Sequence, residues 1–543
     1  MEEKIKENKK TFISGALILG LAGLVIKLLG AVFRIPLANI IGDDGMGYYQ
    51  TAYPVYNLFL TIATAGIPTA ISRMVAERRA LGRNKDAHKV FKVSFLLLFA
   101  TGLVSFSVLF FGAGVITNII EEPDASYCMK AIAPALLFCP IMGAFRGYFQ
   151  GRQNMKPTAV SQIVEQLFRV AIGLSLAIVL LPKGNAIAAA GASFGASAGG
   201  FFGCIGIGLL YLVMKKKAGS EFIPSEIPGD GSEKSGKILR DILVIAIPIT
   251  LGSAVLPIIN TIDTAIVKSR LISIGYSSDV ARSLYGQLTG MASPLINFPQ
   301  VILQAVSVSL VPVIASAYKK GNTEFMHKNI ALSFRYAMII SAPCAVGMSV
   351  LAEPIMLLFY PLQKEAAVSA AACLSILAYG VIFLGLTHTF TGTLQGIGKQ
   401  IIPVINLCVG AVCKIIVTYT LTGIESLNVR GAAIGTITAY FVAAVLNLIF
   451  VKKYTKVKLN YVKSLLKPCA CAAFMGVVVH FAYKLLSGSL GNAISCAVSV
   501  VLGVLIYVVS ALLIGVVTMQ ELCEMPKIGR FFKKFAARGK KAC

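Results

Sequence analysis

Long apolar stretches alternate with short polar breaks along almost the whole chain. Fourteen of them reach the length of about 20 residues that a helix needs to cross roughly 30 Å of hydrocarbon. Six lie at roughly 13–34, 45–71, 93–119, 126–148, 157–181 and 186–214. A polar stretch, 215–239, rich in Lys, Glu, Ser, Gly and Pro, interrupts the series. Eight more follow at about 240–267, 284–317, 329–352, 366–395, 400–422, 430–451, 465–486 and 490–518. The pattern predicts an all-α polytopic membrane protein of about 14 transmembrane helices. Its parts are a six-helix lobe over residues 1–214, a cytoplasmic linker over 215–239, a second six-helix lobe over 240–452, two further helices within 453–518 and a basic tail over 519–543. The apolar run after MEEKIKENKK is longer than a signal-peptide core and has no clear small-residue cleavage site, so it reads as a retained first helix.

Composition agrees with that picture. Of 543 residues, 56% are hydrophobic and 14% charged, with a mean hydropathy of +0.78, whereas about a quarter of the residues of a soluble domain are charged. The net charge of +26 first suggests a polyanion partner. Placing the N-terminus inside puts 37 of the 50 Lys and Arg in inside segments and nine outside, Arg34, Lys268 and Arg282 among the nine. Asp43, Asp44, Glu121, Glu122 and Asp124 are among the carboxylates that offset them. Basic residues in short loops are retained in the cytoplasm. The charge therefore reads as topology in a bacterial cytoplasmic membrane, with both termini cytoplasmic and attraction to anionic lipids, and nucleic acid loses its main argument. The 12 cysteines fall mostly inside apolar runs and read as small apolar filler.

The two halves repeat. FRGYFQG at Phe145 aligns with FTGTLQG at Phe390, and the same spacing sets Arg169 opposite Lys414. GASFG at Gly191 matches GAAIG at Gly431, and GIPTAIS near Pro68 matches LVPVIAS near Pro312. Six spans is an even number, so the two copies point the same way. Parallel lobes of this kind commonly enclose a substrate cavity and alternate its access by rocking.

A charge in hydrocarbon costs about 2.5–3.5 kcal/mol on insertion scales, so it faces a cavity or a partner. Lys27, Arg34, Arg169 and Lys414 are the candidates for a substrate site, with Glu165 and Asp263 the acids within the runs. Glu165 and Arg169 stand one helical turn apart and are placed to pair. The excess of cations suits an anionic substrate, above all a phosphate or pyrophosphate. Asp263, with Asn260 and Thr261, either offers oxygen ligands to a coupling ion, Na⁺ or H⁺, or packs helices. The four histidines have no metal-ligand spacing, and GASFGASAGGFFGCIGIG suits close helix packing better than a phosphate loop. No metal, no cofactor and no enzyme constellation is expected.

Two segments, RGYFQGRQNMKPTAVSQIVEQLFRV from Arg146 and GIPTAISRMVAE from Gly66, resemble the stage V sporulation protein B and MurJ-like branch of the MATE-related (MOP superfamily) polysaccharide and lipid flippases. Arg146, Gly147, Gln150 and Gly151 carry the motif, and FTGTLQG lacks the arginine. The resemblance implies two six-helix lobes around a central cavity, with two C-terminal helices forming a groove for a polyprenyl tail. It further implies a flippase, not an enzyme, that moves an undecaprenyl-pyrophosphate-linked glycan, lipid II first among them, to the outer leaflet. Basic residues on the first helix are then important, and Lys27 and Arg34 stand there. Two other readings are a cation-coupled multidrug exporter of the same fold, with Asp263 or Glu165 as coupling acid, and a membrane glycosyltransferase. For the last, the outside loops are short.

The topology is checked by fusions in a bacterial host. A phosphatase active only outside the cytoplasm is expected to be inactive when joined after Cys543 and active when inserted after Asp124. The reverse pattern overturns the orientation.

Overall fold

The computed structural model describes residues 2–218 and 230–516, with side chains from Ala22 onward except Leu24. The middle of the expected linker and the tail 519–543 lie outside the described residues. The helices are α1 (Glu2–Thr64), α2 (Ile67–Ala80), α3 (Asn84–Ile119), α4 (Ala125–Ile132), α5 (Ala135–Gly151), α6 (Lys156–Leu180), α7 (Asn185–Ala218) and α8 (Ser235–Ser273). After these come α9 (Ser278–Gly286), α10 (Ser293–Lys319), α11 (Thr323–Val350), α12 (Ala352–Phe359), α13 (Lys364–Gly396), α14 (Ile401–Thr422), α15 (Arg430–Thr455) and α16 (Lys467–Leu513). Among the described residues there is no strand, and twelve helical stretches are long and apolar enough to cross a membrane. The chain is a multi-pass membrane protein.

Two of the long helices fold back on themselves. In α1 the break is at Gly42, with φ 69°, and in α16 at Gly491, with φ 72°, a left-handed conformation that glycine adopts without a Cβ penalty. The Phe33 and Tyr49 rings lie 6.1 Å apart, whereas their positions would be about 24 Å apart along a straight helix. The Lys467 ammonium likewise donates to the Ile514 carbonyl at 2.9 Å. Each of these helices thus holds two of the apolar stretches read from the sequence.

By packing, the chain divides into two compact units, Met1–Met291 and Ala292–Cys543. In the first, α8 and α9 pack against α1, and the division falls inside the π-helical turn Gln287–Ala292 that follows α9.

Glycines set how closely the helices approach. A Cβ placed on Gly147 or Gly151 of α5 would lie 2.7 Å from the carbonyl oxygens of Pro68 and Ser72 on α2, respectively. The two motif segments are therefore each other's packing surface. In the second unit, Gly392 of α13 abuts Ser307 of α10 at 2.8 Å and Gly396 abuts Val311 at 3.1 Å. This register puts Ser307, not Pro312, in the place of Pro68, correcting the alignment of LVPVIAS: glycine contacts fix the register, whereas the prolines only resemble one another in sequence. The rest of that unit's core gathers Phe334, Phe390, Met338 and Met475 from α11, α13 and α16. Phe481, Leu485 and Leu513 of α16 face outward.

The charges placed in outside loops form the most buried ionic group of the first unit. Lys268 of α8, 1% exposed, donates to Glu122 at 2.9 Å and to the Thr51 hydroxyl at 2.6 Å. Arg282 of α9 reaches Glu122 at 2.8 Å, Asp44 at 2.6 Å and Asp279 at 2.6 Å, and stacks 4.2 Å above the Tyr48 ring. Glu122 thus bridges two cations and ties α1, the α3–α4 turn, α8 and α9 together. In the segment before α8, Asp230 accepts from the backbone N–H of Lys85 and Asp86, 2.8 and 3.0 Å, and so caps α3. Glu233 pairs there with Arg78 and Arg83.

Removing one member of a buried ionic group leaves the others desolvated, at a cost of about 3–5 kcal/mol. Glu122→Gln is expected to destabilise by that amount, whereas Arg73→Gln, which breaks a pair whose side chains are 65% and 54% exposed, changes stability by about 0.5 kcal/mol or less. Thermal unfolding followed with a thiol-reactive dye checks both, since the chain has 12 cysteines and no tryptophan.

Candidate functional site

A tyrosine stack forms where the two arms of the α1 hairpin meet α6. Tyr49, Tyr53 and Tyr56 recur at helical spacing on the second arm. Tyr49 and Tyr53 stack at 5.6 Å, and Tyr53 and Tyr56 are 6.0 Å apart. Tyr49 and Tyr56 are buried, while Tyr53 is half-buried. Two guanidiniums from different segments face the same ring: the Cζ of Arg34, on the first arm, is 5.6 Å from the Tyr53 centroid and that of Arg169, on α6, is 5.4 Å. The Arg169 charge also lies close enough to act on Tyr49 and Tyr53. Cation–π contacts of this kind contribute about 0.5–2 kcal/mol each, more when desolvated. They hold the guanidiniums without neutralising them.

The hairpin decides the depth of Arg34. It precedes the Gly42 turn by eight residues, about 12 Å of helix, so it lies inward of the loop with which its charge was counted. Lys27, two turns further on, is exposed on α1.

The backbone at Arg169 is fixed by α7. A Cβ on Gly195 would lie 2.6 Å from the Arg169 carbonyl oxygen, and the next glycine in the stripe, Gly199, abuts the backbone of Glu165. In the second unit Gly435 abuts the Lys414 carbonyl, 3.2 Å. Arg169 and Lys414 thus hold the same place in their own helix pairs, as the repeat predicts. Lys414 itself is half-buried on α14 beside Tyr440.

Glu165 does not take the partner read from spacing. Its carboxylate accepts from Arg146 of α5 at 2.8 Å, and Arg146 also donates to the Ser161 hydroxyl at 3.0 Å. An i,i+4 pair is only one choice for a carboxylate at a three-helix junction, and the α5 contact is invisible without tertiary structure. Gly147 and Gly151 serve packing, as above, and Gln150 is half-buried at the end of α5. Asp263 is buried next to Tyr285, whereas Asn260, one turn earlier, is exposed. The tyrosines of the second arm were missed in the sequence, although their spacing of four and three was the available signal.

The arrangement offers flat, permanently charged forks that match phosphate oxygens bidentately. Among the described residues, Arg34, Arg146 and Arg169 bring three cations to this region, of which Arg146 is paired with Glu165.

The chain resembles known proteins over most of its length. A family described as polysaccharide biosynthesis protein matches residues 12–318, and the MatE family matches 288–420. The chain is 27% identical to the lipid II flippase MurJ of Bacillus subtilis, over 98% of this chain and 99% of that one. It is 28% identical to stage V sporulation protein B of the same organism, over 96% and 99%. A solved structure of lipid II flippase MurJ in an inward closed conformation shares the fold, with a TM-score of 0.67 at 15% identity, covering 91% of this chain and 98% of that one.

Overpacking a closely packed site costs about 1–3 kcal/mol or more. Gly195→Leu is expected to force α7 off α6 and to lower the unfolding temperature by several degrees. Gly208→Leu, where a Cβ meets nothing within 4 Å, leaves it unchanged in the same thiol-dye assay.

Proposed function

The chain belongs to the polysaccharide biosynthesis protein family, and from that premise we propose that it is a flippase. Its cargo in this reading is an undecaprenyl-pyrophosphate-linked cell-wall precursor, lipid II, moved across the cytoplasmic membrane by alternating access. One observation carries the reading: Arg34 and Arg169, from different helices, present their guanidiniums to one half-buried tyrosine ring. A pyrophosphate entering an apolar environment loses its hydration, and that loss is prohibitive unless charge-assisted hydrogen bonds replace the water. The two forks supply those bonds in fixed positions, because the hairpin holds Arg34 and the α7 glycines hold the backbone of Arg169. The names of two full-length relatives, a lipid II flippase and a sporulation protein, support a cell-wall precursor as cargo.

The MatE match supports a second reading, a cation-driven exporter of small molecules, with buried Asp263 as the coupling acid.

A leaflet-accessibility assay on lipid II in liposomes containing the purified protein separates the two. Flipping is expected for the parent and a drop of at least tenfold for Arg34→Ala and for Arg169→Ala at equal reconstitution, as loss of one charge-assisted contact of about 1.5–3 kcal/mol implies. Unchanged flipping in both variants overturns the anion site. Drug efflux that survives both substitutions but not Asp263→Asn establishes the exporter.

A further inference from the structure

The position of Glu165 raises a difficulty for an anion site on Arg169. A carboxylate one turn away on the same helix is the natural partner of that guanidinium, and a paired arginine has less to offer a ligand. Among the described residues no ion pair joins them; Glu165 is instead held by Arg146, with the two side chains 17% and 23% exposed. Arg146 also donates from Nε to the Ser161 hydroxyl, on α6 as well, at 3.0 Å, and the Nη2 that binds Glu165 lies 3.6 Å from the Met142 sulfur.

The second repeat works as an internal control. At the spacing that sets Lys414 opposite Arg169, Gly410 stands for Glu165, Thr391 for Arg146 and Asn406 for Ser161. The glycine contacts confirm this register: Gly199 abuts the backbone of Glu165, and Gly410 abuts the backbone of Ala439. Where the acid is absent, the arginine is absent too. The helices there are joined by a neutral network, with Asn406 donating to Asn447 at 2.8 Å and Asn447 to the Thr391 hydroxyl at 3.2 Å. A helix tie at this place does not require charge. The arginine accompanies the acid, and the cation one turn beyond is present in both repeats.

We propose that Arg146 is a positioning residue, which occupies Glu165 and so leaves the Arg169 guanidinium available to an anionic ligand. The clause about the ligand rests on the function proposed above. The electrostatic part does not.

The two parts are tested separately on purified full-length protein. Stability of Glu165→Gln, Arg169→Gln and the double variant gives the coupling between those residues. The coupling is expected to be near zero with Arg146 present and clearly favourable once Arg146→Gln is added. A coupling that is the same in both backgrounds overturns the proposal, whatever the protein binds. Titration with inorganic pyrophosphate then reads the consequence. Arg146→Gln is expected to weaken binding about tenfold and to flatten its salt dependence, while Arg146→Gln combined with Glu165→Gln returns to within about twofold of the parent. An Arg146→Gln variant that binds like the parent, or a double variant as weak as the single one with Glu165→Gln normal, also overturns it, because a purely structural tie would not be restored by removing the acid. Equal binding by the parent and Arg169→Gln instead overturns the anion reading, and the coupling measurement still decides the role of Arg146.

Discussion

In an apolar interior every charge needs a partner, and the kind of partner decides what that charge can still do. Lys268 and Arg282 are answered by Glu122, Asp44 and Asp279. That group is close to neutral and fully engaged, so it is suited to holding α1, α8 and α9 in one arrangement. Arg34 and Arg169 are answered by the face of Tyr53, which stabilises a cation without cancelling its field. The same residue type therefore serves as a fastener at one place and, in the proposed function, as a recognition element at another, and the difference lies in whether oxygen or a π-system stands opposite.

Small residues make both arrangements possible. The stripe Gly191, Gly195, Gly199 and Gly203 brings α7 onto the backbone of α6, so the position of Arg169 is set by main-chain contact rather than by a flexible side chain. The pairing of α2 with α5, and of α10 with α13, follows the same rule. Association between helices in lipid has little hydrophobic driving force and depends on such close approach. The motif glycines are thus structural, while the arginine embedded among them has an electrostatic task.

The polytopic helical fold was legible because hydrocarbon thickness imposes a length on every span, and an even number of spans per repeat fixes its sense. Arg169 and Lys414 were recognisable as equivalents from spacing alone. Contacts between segments far apart in sequence were not. Glu165 has a nearer cation on its own helix than the one it uses. Arg34 looked like a loop charge until the Gly42 turn placed it inward. Glu122, Lys268 and Arg282 sit in segments whose charges are normally solvated, and nothing local to them announces that three separate stretches converge. The spacing of Tyr49, Tyr53 and Tyr56 does not by itself tell a site from core, because an aromatic stripe at helical spacing is more often core.

The hairpins at Gly42 and Gly491 also bear on how the chain enters the bilayer. Two antiparallel arms joined by a tight turn can be inserted together, and only the turn has to cross the hydrocarbon. At Gly491 that turn reads Ser-Gly-Ser-Leu-Gly-Asn, from Ser487 to Asn492, with no charged residue. Its transfer carries no ionic desolvation penalty. At Gly42 two aspartates follow directly, Asp43 and Asp44, and in the folded protein they meet Gln287 and Arg282 of later segments. The last hairpin is therefore complete when it is made, whereas the first is left with an acidic turn that waits for the middle of the chain to be synthesised before its charges are matched.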